Sequence, residues 1–430
     1  MSFELNVTHD PLRRSWLESA NIAGGDFPIQ NLPFGLFRTE GSPPRGGVAL
    51  GDQIIDLAKL ADRLGVAARA AAGAATGTTL APLLLQPPPA VSALRAALSE
   101  LYSSAGENRA LAQAALLPMQ DAELLLPLKP PAFTDFCCSL DHIRRMAAGA
   151  GRPPAPCADK LPVSYNGRAS SVAVSGTGVI RPRGQFEPRP GSGEVTYGPE
   201  PRLDYELEFG VWLRGGNKLG QSIDVAQAEH MMFGCCLVND WSARGIQIFE
   251  SMLGPHLGKS FLTTASPWIV TMEALAPFRV PARARREDEP AVPPHLLDAA
   301  DRARGSIRIA MQAELSTAAG AHSRIANTEF ETLHWTLAQM IAHQASSGAP
   351  LEAGDLLASG TVSGPAEDAK ACLAELTQRG ATPVLFADGT QRVWLEDGDT
   401  VTLTAQAHAE GRVPIGFGPC AGTIRPAAAT

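Results

Sequence analysis

Two glutamates lie two residues apart in an apolar segment, residues 203–213, which reads LDYELEFGVWL. In a strand, the side chains of Glu206 and Glu208 would share one face with Asp204, at a spacing of about 7 Å. Carboxylates this close repel each other unless a cation neutralises them, and a hard cation with oxygen ligands would do so. The alternative is an amphipathic strand with a solvated acidic face, which is the common origin of such a pattern.

Other polar residues lie where apolar runs end. Asp240 follows MMFGCCLVN, and a buried run that ends in a carboxylate needs a partner for its charge. Arg244 and Gln247 are three residues apart and share a face if WSARGIQIFE is helical. Asp135 and His142 flank a cysteine-rich segment. Taken singly, these residues have structural interpretations as a helix N-cap, an ion-pair partner and a surface histidine.

Several motifs of other enzyme classes are absent. The segment GPHLGKS around Lys259 is one residue short of a phosphate-binding loop and runs into Pro267 rather than a long helix. No G-x-S-x-G elbow indicates a serine hydrolase, and no G-x-G-x-x-G opens a helix after a strand. Cysteine and histidine spacings typical of zinc sites are missing as well. Nucleotide chemistry is therefore not expected.

Composition excludes further classes. The chain has 430 residues, 45% of them hydrophobic, which allows a sizeable core, and a net charge of -8 argues against a nucleic-acid partner. Seven cysteines, an odd number that includes two adjacent pairs, suit a reducing compartment. We find neither the apolar core of a signal peptide nor a run of roughly 18 apolar residues, so we expect a cytoplasmic protein without a membrane partner.

Proline residues divide the chain into two parts. In LLLPLKPPAF they end any helix and indicate a linker near residue 125, so we predict domains over residues 1–125 and 126–430. The first contains short strands and helical patterns at 66–75 and 91–102. The second has recurrent apolar strands and few helices, predicted at 226–232, around the apolar stripe 333–341, and at 367–379. This organisation predicts a mainly β, α+β fold.

Several segments together resemble the fumarylacetoacetate hydrolase family, and the resemblance extends over nearly the whole chain. They are DYELE, NDWSARGIQ, LGPHLGKSFLTTASPW, LPVSYNGRASSVAVSGTGVIRP, LLASGTVSGP and IGFGPCAG. DFPIQNLPFGLF and GVALGDQIIDL also resemble the N-terminal domain of the full-length members. The resemblance implies a small SH3-like barrel domain with a helical extension over residues 1–125, a β-sandwich roll over the remainder, and a homodimer.

The resemblance also implies roles for individual residues. Divalent-cation contacts, for Ca²⁺ and/or Mg²⁺, fall on Asp135, Glu206, Glu208, Asp240, Lys259 and Thr263. The general base falls on His142, and the acid that orients it on Glu375. Donors to the tetrahedral intermediate and the leaving group fall on Arg244, Gln247 and Lys259. Substrate contacts fall on Cys137, Arg152, Tyr165, Gln247 and Thr361.

The implied activity is metal-dependent hydrolysis of a carbon–carbon bond in a small-molecule β-diketo acid. The family's substrate, 4-fumarylacetoacetate, yields fumarate and acetoacetate at the end of tyrosine and phenylalanine catabolism. Such chemistry needs a base for water and a Lewis acid for the developing oxyanions. Alternatives are hydrolysis of a different diketo acid, a family decarboxylase or isomerase reaction, and a non-catalytic paralogue.

Departures from the family pattern concentrate on the substrate pocket. Cys137 stands where a tyrosine is usual, and Asn166 stands where histidine is usual. A second tyrosine, expected just after Glu250, is replaced by Ser251 or lost with a one-residue deletion. Arg152 is the candidate for the substrate-carboxylate arginine, in a segment unlike its family counterpart. Each lost hydrogen bond costs about 1–3 kcal/mol in a buried site, so we expect an altered substrate preference with intact metal and base groups.

Overall fold

The computed structural model describes residues 4–189, 191–250 and 254–429. Within them the strands are β1 (Phe34–Arg38), β2 (Arg45–Leu50), β3 (Gln53–Asp56), β4 (Leu116–Pro118), β5 (Glu123–Leu125), β6 (Phe133–Phe136), β7 (Ser164–Gly167), β8 (Val172–Val174), β9 (Val179–Ile180), β10 (Arg183–Phe186), β11 (Thr196–Pro199), β12 (Leu203–Asp204), β13 (Leu207–Leu213), β14 (Met232–Asp240), β15 (Ser242–Ala243), β16 (Thr263–Ala265), β17 (Trp268–Thr271), β18 (Arg279–Val280), β19 (Ser306–Ile307), β20 (Ile309–Ser316), β21 (His322–Glu329), β22 (Leu356–Ala358), β23 (Val384–Leu385), β24 (Gln391–Arg392), β25 (Thr400–Ala407), β26 (Ile415–Gly416) and β27 (Cys420–Arg425).

The α-helices of the described chain are mostly short. They are α1 (Leu57–Leu60), α2 (Val66–Ala74), α3 (Ala81–Leu84), α4 (Pro88–Tyr102), α5 (Arg109–Ala114), α6 (Leu140–Gly149), α7 (Val225–Met231), α8 (Arg244–Glu250), α9 (Leu257–Ser260), α10 (Ala299–Arg304), α11 (Leu337–Gln344) and α12 (Leu373–Leu376). None of the helices in this part of the chain is long and apolar enough to cross a membrane.

A sheet of thirteen strands runs through both predicted domains. Its main path is β4-β3-β2-β1-β17-β14-β13-β22-β6-β7, with β5 beside β1, β16 beside β14, and β8 beside β16. The junction is antiparallel pairing of β1 with β17, in which Phe34 lies opposite Ile269. The N-terminal strands thus extend the sheet that holds the candidate site, while the division near residue 125 stays a prediction.

A second sheet of six strands packs against the first. Its path is β21-β20-β25-β27-β9, with β26 beside β25. β20 alternates buried and half-exposed residues, as expected for a sheet with one face in the core. At the interface, the ring centroid of Phe209 in β13 lies 4.7 Å from that of Phe330 and 5.1 Å from that of Phe417. This packing forms the larger core.

β13 and β14 are buried on both faces. Phe209 and Val211 pack into the core between the two sheets, whereas Trp212 packs into a second core with residues of α2 and α4. Two-sided burial explains why both strands read as nearly continuous apolar runs. The prediction of a mainly β, α+β fold with a small N-terminal and a large C-terminal domain is confirmed.

Two local predictions differ from the structure. The helix predicted at 367–379 is divided into a 3-10 turn (Glu367–Ala369) and α12. The break arises because the Ala371 carbonyl accepts a hydrogen bond from the Leu207 amide and the chain then extends through Cys372 (φ -153°, ψ 159°). The strand predicted at 203–213 is interrupted between β12 and β13. The helices predicted at 66–75, 91–102, 226–232 and around 333–341 are present as α2, α4, α7 and α11.

Replacing Gly35 by alanine should destabilise the sheet where the N-terminal strands join it. A Cβ atom at this position would lie 2.5 Å from two ring atoms of the buried Trp268 and 3.1 Å from the Pro267 carbonyl oxygen. Overpacking of this kind costs about 1–3 kcal/mol. Urea unfolding measures the loss, with Gly198→Ala as control, because a Cβ atom there meets no atom within 4 Å. Equal stability of the two variants would contradict the packing at this junction.

Candidate active site

Four carboxylates from neighbouring strands meet at one place in the large sheet. They belong to Asp135 in β6, Glu206 just before β13, Glu208 in β13, and Asp240 at the end of β14. One oxygen from each lies within 4.8 Å of the others. β13 pairs with both β14 and β22, and β22 pairs with β6, so strand order brings together residues more than a hundred positions apart.

The acid cluster is buried, which excludes the alternative of a solvated acidic face. Glu206 is 5% exposed, Asp135 2%, and Glu208 and Asp240 0%. Both Glu208 oxygens and Asp135 Oδ1 have no hydrogen-bond partner among the described residues. Burial and the neighbouring carboxylates raise the pKa of Asp135 and of Glu208 well above their usual range.

Lys259 compensates part of this charge. Its Nζ lies 2.5 Å from Glu206 Oε2 and 2.6 Å from Asp240 Oδ2. Although burial opposes ionisation of Glu206, the charges of Lys259 and Arg244 hold its pKa below the usual range. Thr263 and Tyr165 each donate a hydroxyl hydrogen bond of 2.8 Å to Asp240.

The donor set suits a hard divalent cation. Unpaired buried carboxylate oxygens are costly, and the orphaned oxygens of Glu208 and Asp135 face an all-oxygen cluster. Oxygen-only ligation is the preference of Ca²⁺ and Mg²⁺ rather than of zinc. The residues present therefore fit a bound metal ion.

His142 and Glu375 form a buried pair beside the acid cluster. His142 Nδ1 is hydrogen-bonded to Glu375 Oε1. Glu375 Oε1 also accepts a 2.6 Å hydrogen bond from Ser363, and its Oε2 lies 3.2 Å from Arg145 Nη1. Although burial opposes ionisation, the charge and hydrogen bond of His142, together with Ser363 and Arg145, lower the pKa of Glu375.

The start of α6 positions His142. Ser139 is the N-cap, and its hydroxyl accepts a 3.0 Å hydrogen bond from the His142 amide while donating one of 2.6 Å to the Ser363 carbonyl. The same two serines therefore hold both members of the His142–Glu375 pair. Sequence reasoning did not single out Ser139 or Ser363. Only the N-cap position of Ser139 carried a local signal.

Asp204 connects Arg244 with the segment that carries Glu375. Arg244 donates to Asp204 Oδ2 through Nε at 2.8 Å and contacts Glu206 Oε1 through Nη1 at 2.8 Å. The Asp204 carboxylate also accepts the amide hydrogens of Leu373 and Ala374 at 2.7 and 3.0 Å. The sequence pattern placed Asp204 on the same strand face as Glu206, but it did not predict that Asp204 connects Arg244 with α12.

Tyr165, Gln247 and Lys259 line a cavity of about 230 Å³ next to the acid cluster. The other lining residues are Glu250, His256 and Gly258. Gln247 also accepts a 3.1 Å hydrogen bond from Arg244 through Oε1. The structure thus brings three predicted substrate or donor residues together.

The remaining predicted substrate contacts differ in position. Thr361 is buried just after β22. Cys137 follows β6, and burial together with Glu206 and Asp135 raises the pKa of its thiol, so the group is neutral. Arg152 is exposed beyond the end of α6 and is absent from the lining of this cavity. Asn166 lies in β7, and Ser251 lies outside the described residues.

Comparison with known families gives two matches in succession. Residues 30–127 match the family described as "Fumarylacetoacetase N-terminal", and residues 132–425 match "Fumarylacetoacetate (FAA) hydrolase C-terminal". The matched segments together span most of the chain.

Individual relatives are similar over nearly their whole length. A protein of Oryza sativa subsp. japonica named fumarylacetoacetase is 42% identical, over 98% of this chain and 99% of its own. The human protein of that name is 38% identical, over 94% of this chain and 97% of its own. A solved fumarylacetoacetate hydrolase from Exiguobacterium antarcticum shares the fold, with a TM-score of 0.51 at 17% identity over 92% of this chain and 99% of its own.

Ca²⁺ or Mg²⁺ should stabilise the protein relative to a chelated sample. A cation at 100 times its dissociation constant adds about 2.7 kcal/mol to the free energy of unfolding. Glu208→Gln should raise the melting temperature in chelator, because it removes an unpaired buried carboxyl, and should abolish most of the response to cation.

Thermal unfolding with and without chelator measures both effects. Asp121→Asn, at an exposed acid outside the cluster, serves as the control and should respond to cation as the wild type does. A wild-type melting temperature that chelator leaves unchanged would mean that the acid cluster holds no cation.

Proposed function

The chain belongs to the fumarylacetoacetate hydrolase family, and on this basis we propose that it hydrolyses 4-fumarylacetoacetate to fumarate and acetoacetate. The reaction class is hydrolysis of a carbon–carbon bond in a ketonic substance. The observation that carries the proposal is the proximity of a buried His–Glu pair to a four-carboxylate cluster, joined through Asp204 and Arg244.

His142 is the general base in this proposal. Its Nδ1 is engaged by Glu375, so the neutral ring carries its proton on Nδ1 and offers Nε2 to a water molecule. Glu375 remains ionised because His142, Ser363 and Arg145 lower its pKa. A carboxylate in this position fixes the tautomer and stabilises the imidazolium that forms when water loses its proton.

Water adds through its oxygen to the carbonyl carbon of the fumaryl group. The bond from that carbon to the neighbouring methylene then breaks, and its electron pair stays with acetoacetate as an enolate. The imidazolium of His142 returns the proton to the enolate carbon, which restores the base. A divalent cation held by Asp135, Glu206, Glu208 and Asp240 would supply a Lewis acid for the developing negative charge.

Donors in the cavity support the charged intermediate. Two contacts of Lys259 Nζ go to Glu206 and Asp240, which leaves a third N–H for a substrate oxygen. The Gln247 side chain is oriented through its oxygen by Arg244, so its amide nitrogen can donate. A well-placed donor to a developing oxyanion contributes about 3–4 kcal/mol.

Further properties are part of the same proposal. The all-oxygen cluster favours Ca²⁺ or Mg²⁺ as the cation. A homodimer, and a division into domains of residues 1–125 and 126–430, rest on the family resemblance. A cytoplasmic location rests on cysteine usage, which suits a reducing compartment.

A shifted acyl preference is the second candidate, and Cys137 favours it. The thiol is a weak donor where the family pattern has a phenol, and its raised pKa keeps it neutral. A different diketo acid would then be the preferred substrate of the same reaction. The intact His142–Glu375 pair favours hydrolysis over decarboxylation, which does not need a base to activate water.

His142→Ala and Glu375→Gln should each lower turnover at least a hundredfold without unfolding the protein, because general-base catalysis contributes about 10²–10⁴ in rate. The assay is loss of enol absorbance from fresh fumarylacetoacetate with Mg²⁺ or Ca²⁺, with fumarate and acetoacetate quantified. His322→Ala, at an exposed histidine in β21, is the control. Hydrolysis retained by His142→Ala would refute the assigned base.

Cys137→Tyr should change substrate preference more than rate. The phenol would restore a hydrogen-bond donor at the position where the family has one, so KM for fumarylacetoacetate should fall relative to KM for diketo acids with other acyl groups. Steady-state kinetics on two substrates measures the ratio, with the exposed Cys157→Ser as control. An unchanged KM ratio would exclude Cys137 from substrate selection.

A further inference from the structure

Most polar groups that line the 230 Å³ cavity are already engaged by the protein. The Tyr165 hydroxyl donates to Asp240 at 2.8 Å. Lys259 Nζ contacts two carboxylates. The Glu250 carboxylate accepts the amide hydrogens of Leu257 and Gly258 at 2.9 and 3.1 Å, which disperses its charge.

His256 is different. Among the described residues, its ring nitrogens have no hydrogen-bond partner, although the ring lines the cavity and its centroid lies 5.5 Å from that of Tyr165. His256 is half-buried, so a ligand in the cavity can reach its ring. An imidazole always has at least one N–H available as a donor.

The backbone holds this ring in an unusual conformation. His256 has φ 55° and ψ 43°, in the left-handed region that non-glycine residues seldom adopt. Its carbonyl accepts the amide hydrogens of Lys259 and Ser260 at 2.9 and 2.8 Å and so begins α9, which carries Lys259. Strained residues held in place by their surroundings are concentrated at ligand sites.

We propose that His256 is a further substrate-contacting residue, whose imidazole N–H donates a hydrogen bond to a carboxylate at one end of the diketo acid. This inference rests on the proposed function and deepens it. It assigns selection of a substrate carboxylate to a residue that is not among the substrate contacts implied by the family resemblance.

Two substitutions of His256 test the hydrogen-bond donor and the aromatic ring separately. His256→Phe keeps an aromatic ring beside Tyr165 but removes the N–H groups, whereas His256→Gln keeps a donor and removes the ring. Both variants retain a non-glycine residue in the left-handed conformation, so the backbone cost is common to them. Melting temperatures verify that both are folded.

The readouts are KM and kcat for fumarylacetoacetate with Mg²⁺, and the affinities for fumarate and for acetoacetate measured by calorimetry. His256→Phe should raise KM roughly tenfold or more, with kcat nearly unchanged, and should weaken binding of one of the two products by a similar factor. His256→Gln should restore most of both values. The affected product identifies the end of the substrate that His256 contacts.

The outcomes distinguish this inference from the proposed function. If wild type binds a product that His256→Phe binds more weakly, but does not cleave fumarylacetoacetate, the contact stands and the proposed substrate is wrong. If wild type cleaves the substrate and His256→Phe changes neither KM nor either affinity, the contact is refuted. It is refuted as well if His256→Gln is as impaired as His256→Phe, or if wild type binds neither product.

Discussion

The mutual repulsion of four buried carboxylates is the constraint on which the site depends. Asp135, Glu206, Glu208 and Asp240 lie within a few ångströms of one another and are nearly inaccessible to water. Lys259 and Arg244 compensate Glu206 and Asp240, whereas Glu208 has no partner within the described residues. Such an arrangement is costly for an empty site. It is consistent with a protein that folds around, or in equilibrium with, a bound cation.

The sheet makes this arrangement possible. The second sheet covers one face of β13 and β14, and N-terminal helices cover the other. Burial of the apolar residues of these strands offsets the free-energy cost of burying the acids beside them. β22 and β6 then place Asp135 two strands away from Glu208. The N-terminal strands contribute indirectly, by extending the same sheet through β1 and β17.

The acid cluster and the His142–Glu375 pair are linked through Asp204. Its carboxylate binds Arg244 on one side and the amide hydrogens at the start of α12 on the other, and Arg244 in turn contacts Glu206. The position of Glu375, and therefore the orientation of His142, depends on the same contacts that orient the acid cluster. Hydrogen-bonded buried charges of this kind hold one another in one geometry. The His142–Glu375 pair and the acid cluster are thus parts of one arrangement.

Local sequence patterns determined the fold class and several of the helices. The spacing of Glu206 and Glu208 indicated a shared face but left open whether it was solvated or held a cation. The apolar runs indicated a mainly β fold, and the helical periodicities of α2, α4, α7 and α11 were correct. Motif resemblance identified the family. These features depend on neighbours in the chain, where residue type and spacing set backbone conformation.

Only the tertiary structure decided the rest. It excluded a solvated face for the glutamates and divided the helix predicted at 367–379 into a 3-10 turn and α12. It also revealed the contacts of Asp204, Ser139 and Ser363. It also placed His256 in the cavity and left Arg152 exposed. These outcomes depend on strand order and register, which bring together residues more than a hundred positions apart, and the local periodicity of the chain carries no information about such pairings.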